Sequence, residues 1–166
     1  MATKENAMEA FAGESQANRK YQAFAEKAES EGYLNIARLF KAASEAEAIH
    51  AKKLMKALGM INSTRENLEK AVAGETHEYT EMYPAFVQEA ESEKQSDALL
   101  AFNYALQAEE VHAGLYKEAL KSLNAGQDMS NRTVWLCPVC GNIFLGQAPE
   151  KCPICNVFKK IFREIT

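Results

Sequence analysis

The sequence predicts a mainly α protein, a four-helix bundle followed by a small C-terminal domain built around metal knuckles. Three observations lead there. Residues 4 to about 124 contain one proline, few glycines and many helix-forming residues. The same stretch carries an internal repeat. All four cysteines lie outside it, in the last 30 residues of the chain. We therefore expect two domains, residues 1–130 and 131–166, the second too short to fold on a hydrophobic core alone.

The first two helices are predicted to end at glycines. The first runs from about residue 4 to residue 30 and stops before Gly32. The second runs from about residue 34 to residue 58 and stops before Gly59. Glycine suits both places because it adopts the left-handed conformation that closes many helices.

The third helix opens at Ser63, where Glu66 follows at the spacing of a capping box, and it extends to about residue 93. Pro84 lies inside it and should cause a kink or an irregular turn, since proline lacks the N–H that a helix needs. The fourth helix is predicted from about residue 97 to residue 123.

The two halves of the helical region resemble each other. Residues 13–15 (Gly-Glu-Ser) match residues 74–76 (Gly-Glu-Thr) at an offset of 61, and residues 28–31 match residues 90–93 at an offset of 62. One residue has therefore been inserted in the second half. A repeated helical hairpin supplies the bundle, with a pseudo-twofold axis between its copies.

Each half carries a Glu-x-x-His pair, Glu47/His50 in the first and Glu109/His112 in the second. A carboxylate and an imidazole three residues apart project from the same helix face. Two such pairs, with one Glu from each of two other helices, form the ligand set of di-iron or di-manganese centres in four-helix bundles. Carboxylate and imidazole ligands, with no thiolate among them, suit iron or manganese.

The remaining carboxylates are Glu14 in the first half and Glu75 with Glu78 in the second. At 1.5 Å rise per residue, the ligands of antiparallel partners lie at about the same level, roughly 22–27 Å from each hairpin turn. The first half has Ala17 where the second has Glu78. Glu78 is thus an extra carboxylate, and we hypothesise that it competes with His50 for one metal ion, as an anion that favours the oxidised state.

The alternative for these glutamates is a solvated helix face with i,i+4 pairs. Small and apolar residues such as Ala46 and Ala113 surround the two Glu-x-x-His pairs, however, and buried carboxylates are disfavoured without a compensating positive charge. This favours the metal site. His77 cannot share the helix face of its neighbour Glu78, and we interpret it as a packing or surface residue.

The cysteines form two Cys-Pro-x-Cys knuckles, residues 137–140 and 152–155, separated by 11 residues. Four thiolates in this pattern bind Zn²⁺ or a single Fe in tetrahedral geometry. A structural zinc ribbon is the alternative, but a one-electron iron site is better motivated beside a redox-active dimetal site. Gly141 and Asn156 follow the knuckles, where positive φ is expected. Aromatic residues are available for a small core around the metal: Trp135, Phe144, Phe158 and Phe162.

Composition and charge exclude several classes of function. The net charge of −4 does not favour nucleic acid or an anionic membrane as a partner, and no run approaches the roughly 20 apolar residues of a membrane span. The N-terminal residues lack the pattern of an export signal, and paired Cys-x-x-Cys motifs indicate metal binding in a reducing cytoplasm. The chain has no Gly-rich motif for binding a dinucleotide such as NAD(P)H. Electrons for a redox-active metal site must therefore come from another protein.

Along nearly its full length the chain resembles the rubrerythrin family, in the stretches AFAGESQANRKY, SEAEAIHA, AGETHEYTEMYP, YALQAEEVHAGLY and CPVCG…CPIC. The resemblance implies a ferritin-like bundle with a rubredoxin-like tail. The di-iron ligands would be Glu14, Glu47, His50, Glu75, Glu78, Glu109 and His112. Cys137, Cys140, Cys152 and Cys155 would hold a mononuclear Fe(SCys)₄ centre. Tyr21 and Tyr83 match tyrosines that hydrogen-bond ligand carboxylates, and Asn156 departs from the glycine that family members often have.

The resemblance also implies an activity, the reduction of hydrogen peroxide to water in defence against oxidative stress. Glu78, His50, Tyr21 and Tyr83 are the expected catalytic residues. Electrons would return one at a time through the Fe(SCys)₄ centre from a rubredoxin or an NAD(P)H-dependent flavoprotein reductase. The family forms homodimers, and higher oligomers or helical hairpins exchanged between subunits are conceivable. The rival functions are iron oxidation and storage, and a non-enzymatic role as an electron carrier or peroxide sensor.

Overall fold

The structure, a computed structural model, describes residues 2–166, and the chain divides into two compact units, Met1–Asn62 and Ser63–Thr166. Within the described residues the protein is mainly helical, as predicted, with three short strands near the C-terminus. No helix in this part of the chain combines the length and the apolar character that crossing a membrane requires. The domains expected from the sequence, residues 1–130 and 131–166, stay a prediction.

The first unit is a helical hairpin of α1 (Ala2–Ser30) and α2 (Leu34–Ala57). Both predicted helix ends are confirmed, because Gly32 has φ +85° and Gly59 has φ +66°. Where the two helices meet, the Asn18 side-chain amide donates to the carbonyl oxygen of Ser44 at 2.8 Å and to its Oγ at 2.9 Å. The hairpin buries small side chains, Ala25, Ala28, Ala37, Ser44 and Ala51.

The second unit begins with α3 (Thr64–His77), and its N-terminus has the predicted capping box. The Glu66 N–H donates to Ser63 Oγ at 3.3 Å, and the Ser63 N–H donates to Glu66 Oε2 at 3.1 Å. After α3 the chain continues through a π-helical turn, Glu78–Met82, into α4 (Tyr83–Ser92). A short turn leads to α5 (Ser96–Asn124), which packs against both α3 and α4.

The π-helical turn explains two features of the sequence. Pro84 has no N–H to donate within an α-helix, so an irregular turn was expected beside it, and the Tyr83 N–H reaches back five residues to the Glu78 carbonyl. The offset between the two halves changes from 61 to 62 between Thr76 and Tyr83. The inserted residue therefore lies in the stretch that contains the π-helical turn, which holds one more residue than an α-helical turn.

Each hairpin holds a triangle of aromatic rings at positions related by the repeat. The rings belong to Tyr21, Phe24 and Phe40 in the first hairpin, and to Tyr83, Phe86 and Phe102 in the second. Their centroids are 5.6–6.2 Å apart in the first and 5.5–6.2 Å apart in the second. The repeat that is visible in the sequence is thus preserved in the packing.

The C-terminal segment of the second unit contains a small antiparallel sheet. Its strands are β1 (Val134–Leu136), β2 (Ile143–Leu145) and β3 (Arg163–Ile165), with β1 in the centre. The register pairs Trp135 with Phe144 on one side of β1 and with Glu164 on the other. We call residues 131–166 the tail.

The core of the tail differs from the prediction at one aromatic residue. Phe162 is buried, stacks on Phe144 with centroids 5.1 Å apart, and packs with Trp135 around three of the cysteines. Phe158 is 55% exposed and does not join them. Phe158 forms an isolated antiparallel bridge with Lys151, and the Lys151 ammonium covers the Phe158 ring at 4.7 Å. Tyr104 of α5 packs against the tail core instead.

Candidate metal centres

The first hairpin brings together Glu14, Glu47 and His50, whose ligand atoms all lie within 4.8 Å of one another. Glu47 and His50 are one turn apart on α2, and Glu14 approaches from the antiparallel α1. His50 Nδ1 lies 3.0 Å from Glu47 Oε2 and 3.7 Å from Glu14 Oε2. We call these three residues the first trio. The His50 side chain is 52% exposed.

The electrostatics of the first trio are those of two carboxylates that share a proton. A hydrogen bond with Glu47, and then burial, raise the pKa of Glu14 above its usual value. The same hydrogen bond from Glu14, and then one from His50, lower the pKa of Glu47. A bound cation would replace the shared proton and compensate both negative charges.

The second hairpin brings together the corresponding residues Glu75, Glu109 and His112, again with ligand atoms within 4.8 Å of one another. We call these three residues the second trio. His112 Nδ1 lies 2.6 Å from Glu109 Oε2, and the His112 side chain is only 17% exposed. Burial, and then the hydrogen bond and charge of Glu109, raise the pKa of Glu75 to about 8. The second trio is therefore the more buried and holds its carboxylates at the greater electrostatic cost.

Glu78 lies beside the second trio at the first residue of the π-helical turn. Burial, and then the charge of Glu109, raise the pKa of Glu78, while His112 acts in the opposite sense. The pKa of Tyr83 is raised by burial and then by the charges of Glu78, Glu109 and Glu75. Glu78 and Tyr83 are thus close enough to the second trio to interact with it electrostatically.

The other predicted residues fall in different settings. Tyr21 packs in the aromatic triangle of the first hairpin, and the hydrogen bonds expected from Tyr21 and Tyr83 to ligand carboxylates stay predictions. His77 is exposed, and its Nδ1 lies 3.3 Å from Glu81 Oε2 one turn later. A surface pair of this kind fits the interpretation of His77 as a surface residue.

The donor groups of the two trios fit a di-iron centre. Each trio offers two carboxylates and one imidazole, the oxygen and nitrogen ligands that suit iron. Ferritin-like di-iron proteins use four glutamates and two histidines in all, and each trio offers half of that set. Burial raises the pKa of the half-buried Glu75 to about 8, and a bound cation would compensate the negative charge that burial disfavours.

The four cysteines of the tail form a compact tetrathiolate group. Cys137 Sγ lies 3.5 Å from Cys155 Sγ, Cys140 Sγ lies 3.4 Å from Cys152 Sγ, and all four sulfurs are within 4.8 Å of one another. A disulfide would need a separation of about 2.05 Å. Sulfurs about 2.3 Å from a tetrahedral metal would be about 3.8 Å apart. The group fits Fe(SCys)₄.

Backbone geometry prepares these sulfurs for a metal. Although burial acts to raise it, N–H groups of Cys155 and Ile154 lower the pKa of Cys152 to about 7. Burial raises the pKa of Cys140, and a hydrogen bond from the Asn142 N–H acts in the opposite direction. The turns after the knuckles have the predicted left-handed residues, Gly141 at φ +79° and Asn156 at φ +61°. Asparagine therefore takes the left-handed conformation here, as glycine would.

A contact that the sequence did not predict joins the second trio to the first knuckle. His112 Nε2 lies 3.0 Å from the carbonyl oxygen of Gly141, immediately after Cys140. Because a carbonyl can only accept, Nε2 must donate in this contact, and Nδ1 is the ring nitrogen that could bind a metal. Nothing in the sequence around either residue signals this contact, since it depends on how the tail packs on α5.

Family models match both parts of the chain. The model described as "Rubrerythrin" matches residues 5–120, and the model described as "Rubrerythrin, rubredoxin-like domain" matches residues 135–163. The chain belongs to the rubrerythrin family. Rubrerythrin-2 of Clostridium acetobutylicum is 38% identical over 168 residues, which cover 93% of this chain and 91% of that protein. Nigerythrin of Nitratidesulfovibrio vulgaris is 40% identical over 168 residues, covering 93% of this chain and 82% of that protein.

Solved structures of nigerythrin are also similar. The fully reduced, all-ferrous state aligns with a TM-score of 0.59 and 37% identity, covering 98% of this chain and 86% of the nigerythrin chain. The mixed-valence state aligns with a TM-score of 0.58 and 38% identity over the same shares. These findings confirm the predicted family and fold class, ferritin-like helices followed by a rubredoxin-like knuckle region. They agree with the donor sets in assigning a di-iron site and an Fe(SCys)₄ site.

Proposed function

We propose that the chain is a non-haem di-iron peroxidase that reduces hydrogen peroxide to water in the cytoplasm and so protects against oxidative stress. One observation carries the proposal. The contact from His112 to the Gly141 carbonyl links a redox-active carboxylate site to a one-electron thiolate site. A storage protein or a structural zinc ribbon would have no use for such a link.

The two trios and Glu78 would hold the di-iron centre. When bound, the irons supply two electrons to the O–O bond of peroxide and act as Lewis acids toward the departing oxygen. The residues around them must keep the ligands in place and exclude bulk water. The half-buried Glu109 and His112 are suited to this task, and the more exposed His50 leaves one side of the first trio accessible to a small substrate.

Two protons must reach the oxygen atoms for each peroxide reduced to two water molecules. Glu78 and Tyr83 support this step in the second hairpin, because burial raises the pKa of each group and so favours its protonated form. Tyr21 occupies the position equivalent to Tyr83 in the first hairpin, the hairpin that also contains His50. We assign catalytic roles to Glu78, Tyr83, Tyr21 and His50.

Electrons would pass from the tail through Cys140, the Gly141 carbonyl and His112 to the di-iron centre. Every step along this route is a covalent bond or the 3.0 Å hydrogen bond. The electrons would come from a rubredoxin or an NAD(P)H-dependent flavoprotein reductase, acting on a homodimer or larger homo-oligomer.

The test is stopped-flow oxidation of the anaerobically reduced protein, with its metal content measured, by hydrogen peroxide and separately by air. Oxidation by peroxide that is much faster than oxidation by air, at about three irons per chain, is the expected result. Preferential reaction with dioxygen and uptake of many irons per chain would contradict the proposal and favour iron oxidation and storage. Redox cycling of the tail without peroxide consumption would favour an electron carrier or sensor.

A further inference from the structure

We propose that the tail carries a docking surface for an acidic one-electron carrier protein, on the side of its second knuckle. The surface consists of three lysines, Lys151, Lys159 and Lys160, around the exposed rings and aliphatic groups of Phe158 and Ile161, and we call it the basic rim. The inference rests on the proposed function, since it identifies where the electrons for that function are received.

The first observation is the charge of the tail. Residues 131–166 contain five Lys and Arg residues and two Glu residues, so the tail carries a net +3. The whole chain carries −4, and residues 1–130 therefore carry −7. An acidic protein is repelled by most of this chain and attracted by the tail. Such a field orients an encounter before contact and raises its rate.

The second observation is that the lysines of the rim are free to meet a partner. In the part of the chain that the structure describes, none of the three forms an ion pair with a carboxylate of this protein. Lys151 lies over the Phe158 ring at 4.7 Å, and Lys159 lies 5.9 Å from the Trp135 ring. Both contacts hold the cations at the surface. Glu150 is the one carboxylate next to them in the chain, which leaves an excess of two positive charges.

The third observation is an apolar centre within the rim. Phe158 is 55% exposed and Ile161 is 40% exposed. The Lys151 ammonium lies 4.7 Å from the centre of the Phe158 ring, and Lys159 and Lys160 follow Phe158 directly in the turn Lys159–Ile161. An apolar centre with a charged border is the usual arrangement of a protein interface.

The fourth observation is the position of the rim relative to the sulfurs. Lys151 precedes Cys152, whose N–H donates to the Val157 carbonyl at 2.9 Å, and Phe158 follows Val157. The rim therefore forms the base of the second knuckle. This knuckle contains Cys155, which is half-buried while the other three cysteines are buried. A carrier seated there would approach the most accessible thiolate.

The two knuckles thus face different neighbours. The first knuckle delivers its Gly141 carbonyl to His112 of α5. The second knuckle presents Cys155 and the basic rim to solvent. We infer that electrons are received at the second knuckle and leave through the first, so that donor and acceptor do not compete for one surface.

The experiment measures reduction of the tail iron in the full-length, metal-loaded protein by a reduced acidic flavodoxin. A flavodoxin is a one-electron carrier whose flavin spectrum differs from that of Fe(SCys)₄, so both can be followed in a stopped-flow instrument. The variants are K151Q/K159Q/K160Q and, because two of those lysines cover rings, the single K160E. The matched control is K52Q/K53Q/K56Q, three exposed lysines of α2 with the same change in net charge. The neutral semiquinone of lumiflavin, produced by photoreduction at neutral pH, serves as the small non-docking reductant.

At about 20 mM salt, where screening is weak, we expect the triple rim variant to slow reduction by the flavodoxin about tenfold or more and to flatten its salt dependence. K160E should slow it several-fold. The α2 control should stay within about twofold of the wild type, and reduction by lumiflavin should be unchanged in every variant. These results would support the docking surface.

Three results would overturn it. One is wild-type flavodoxin rates in both rim variants, and another is an equal loss in the α2 control, which would reflect net charge alone. The third is binding of anionic phosphatidylserine vesicles near 150 mM salt that the rim variants abolish, which would assign the surface to a membrane. None of these readouts uses peroxide. Oxidation of the pre-reduced wild type by peroxide decides the proposed function separately.

Discussion

The two helical hairpins start from one sequence pattern and end in different surroundings. Each presents a Glu–Glu–His trio and an aromatic triangle at equivalent positions. In the first hairpin the helices are regular and His50 is half-exposed. In the second hairpin a π-helical turn interrupts the helix after Glu75. There the His112 side chain is only 17% exposed and is hydrogen-bonded to the Gly141 carbonyl of the tail.

The difference shows that a few local changes are enough to give two repeated hairpins different surroundings for their trios. A single inserted residue produces the π-helical turn at which Glu78 stands, where the first hairpin has Ala17. Packing of the tail on α5 adds the Gly141 contact and sets the tautomer of His112. The first hairpin keeps the accessible imidazole, and the second gains the extra carboxylate and the hydrogen bond to the tail.

Loss of one imidazole should produce the largest effects, and one of these effects should differ between the two hairpins. Because loss of a residue that only supports a metal ligand already costs about 10–100-fold, H50A and H112A should each lower peroxide turnover by at least about 100-fold. Only H112A should also loosen the tail, with about fivefold faster proteolysis at residues 125–133, since a hydrogen bond contributes about 1 kcal/mol. Kinetic assays and timed digestion measure both. Equal digestion of H50A and H112A would contradict the role of the Gly141 contact.

Removal of the inserted residue should make the second hairpin resemble the first. Deletion of Thr80 combined with P84Q, which introduces the residue found at Gln22 in the first hairpin, should restore a regular α-helix and move Glu78 out of its π-helical position. We expect peroxide turnover to fall about 10–100-fold, as it should in E78A. P84Q alone keeps the insertion and is the control. Full activity in the deletion variant would show that the π-helical turn has no part in the reaction.

The pH dependence of the metal-free protein should report the burial of the second trio. Burial raises the pKa of folded Glu75 to about 8, well above its value in the unfolded chain. The folded state therefore binds the proton more tightly, and stability is lost as pH rises from about 4.5 to about 8. Thermal unfolding at pH 5 and pH 8 should show a lower Tm at pH 8, and E75Q should reduce the difference.

The matched variant in the first hairpin is E14Q, where the pKa of the carboxyl is also raised but by a hydrogen bond first and burial second. We expect a smaller change in pH dependence than in E75Q. A larger change in E14Q would reverse the order of electrostatic cost that we assign to the two trios.

The smallest effect concerns helix capping. Ser63 caps α3 with its side chain, whereas Tyr33 at the start of α2 makes no such hydrogen bond. S63A should lower the free energy of unfolding by about 1 kcal/mol in urea titrations. Y33A removes no cap, so any loss of stability in that variant reports packing alone. The comparison of S63A with Y33A therefore isolates the contribution of the cap.

Periodicity and special residues made most of the helical region predictable. The glycine ends, the capping box of Ser63 and the irregular turn near Pro84 all follow from local backbone rules, which act within a few residues. The Glu-x-x-His spacing and the repeat also predicted the donor residues, which the structure groups by three in each hairpin. One helix face and one antiparallel partner are enough to bring them together.

Features that depend on distant parts of the chain were not predictable. The outward turn of Phe158, the packing of Tyr104 against the tail core and the bond from His112 to Gly141 each involve partners or orientations that no spacing rule contains. The sequence by itself determined the donor sets, the hairpins and the inserted residue, because these rest on helix geometry. Only the tertiary structure decided that His112 is shielded and that the first knuckle lies against α5, because both depend on the surface against which the tail packs.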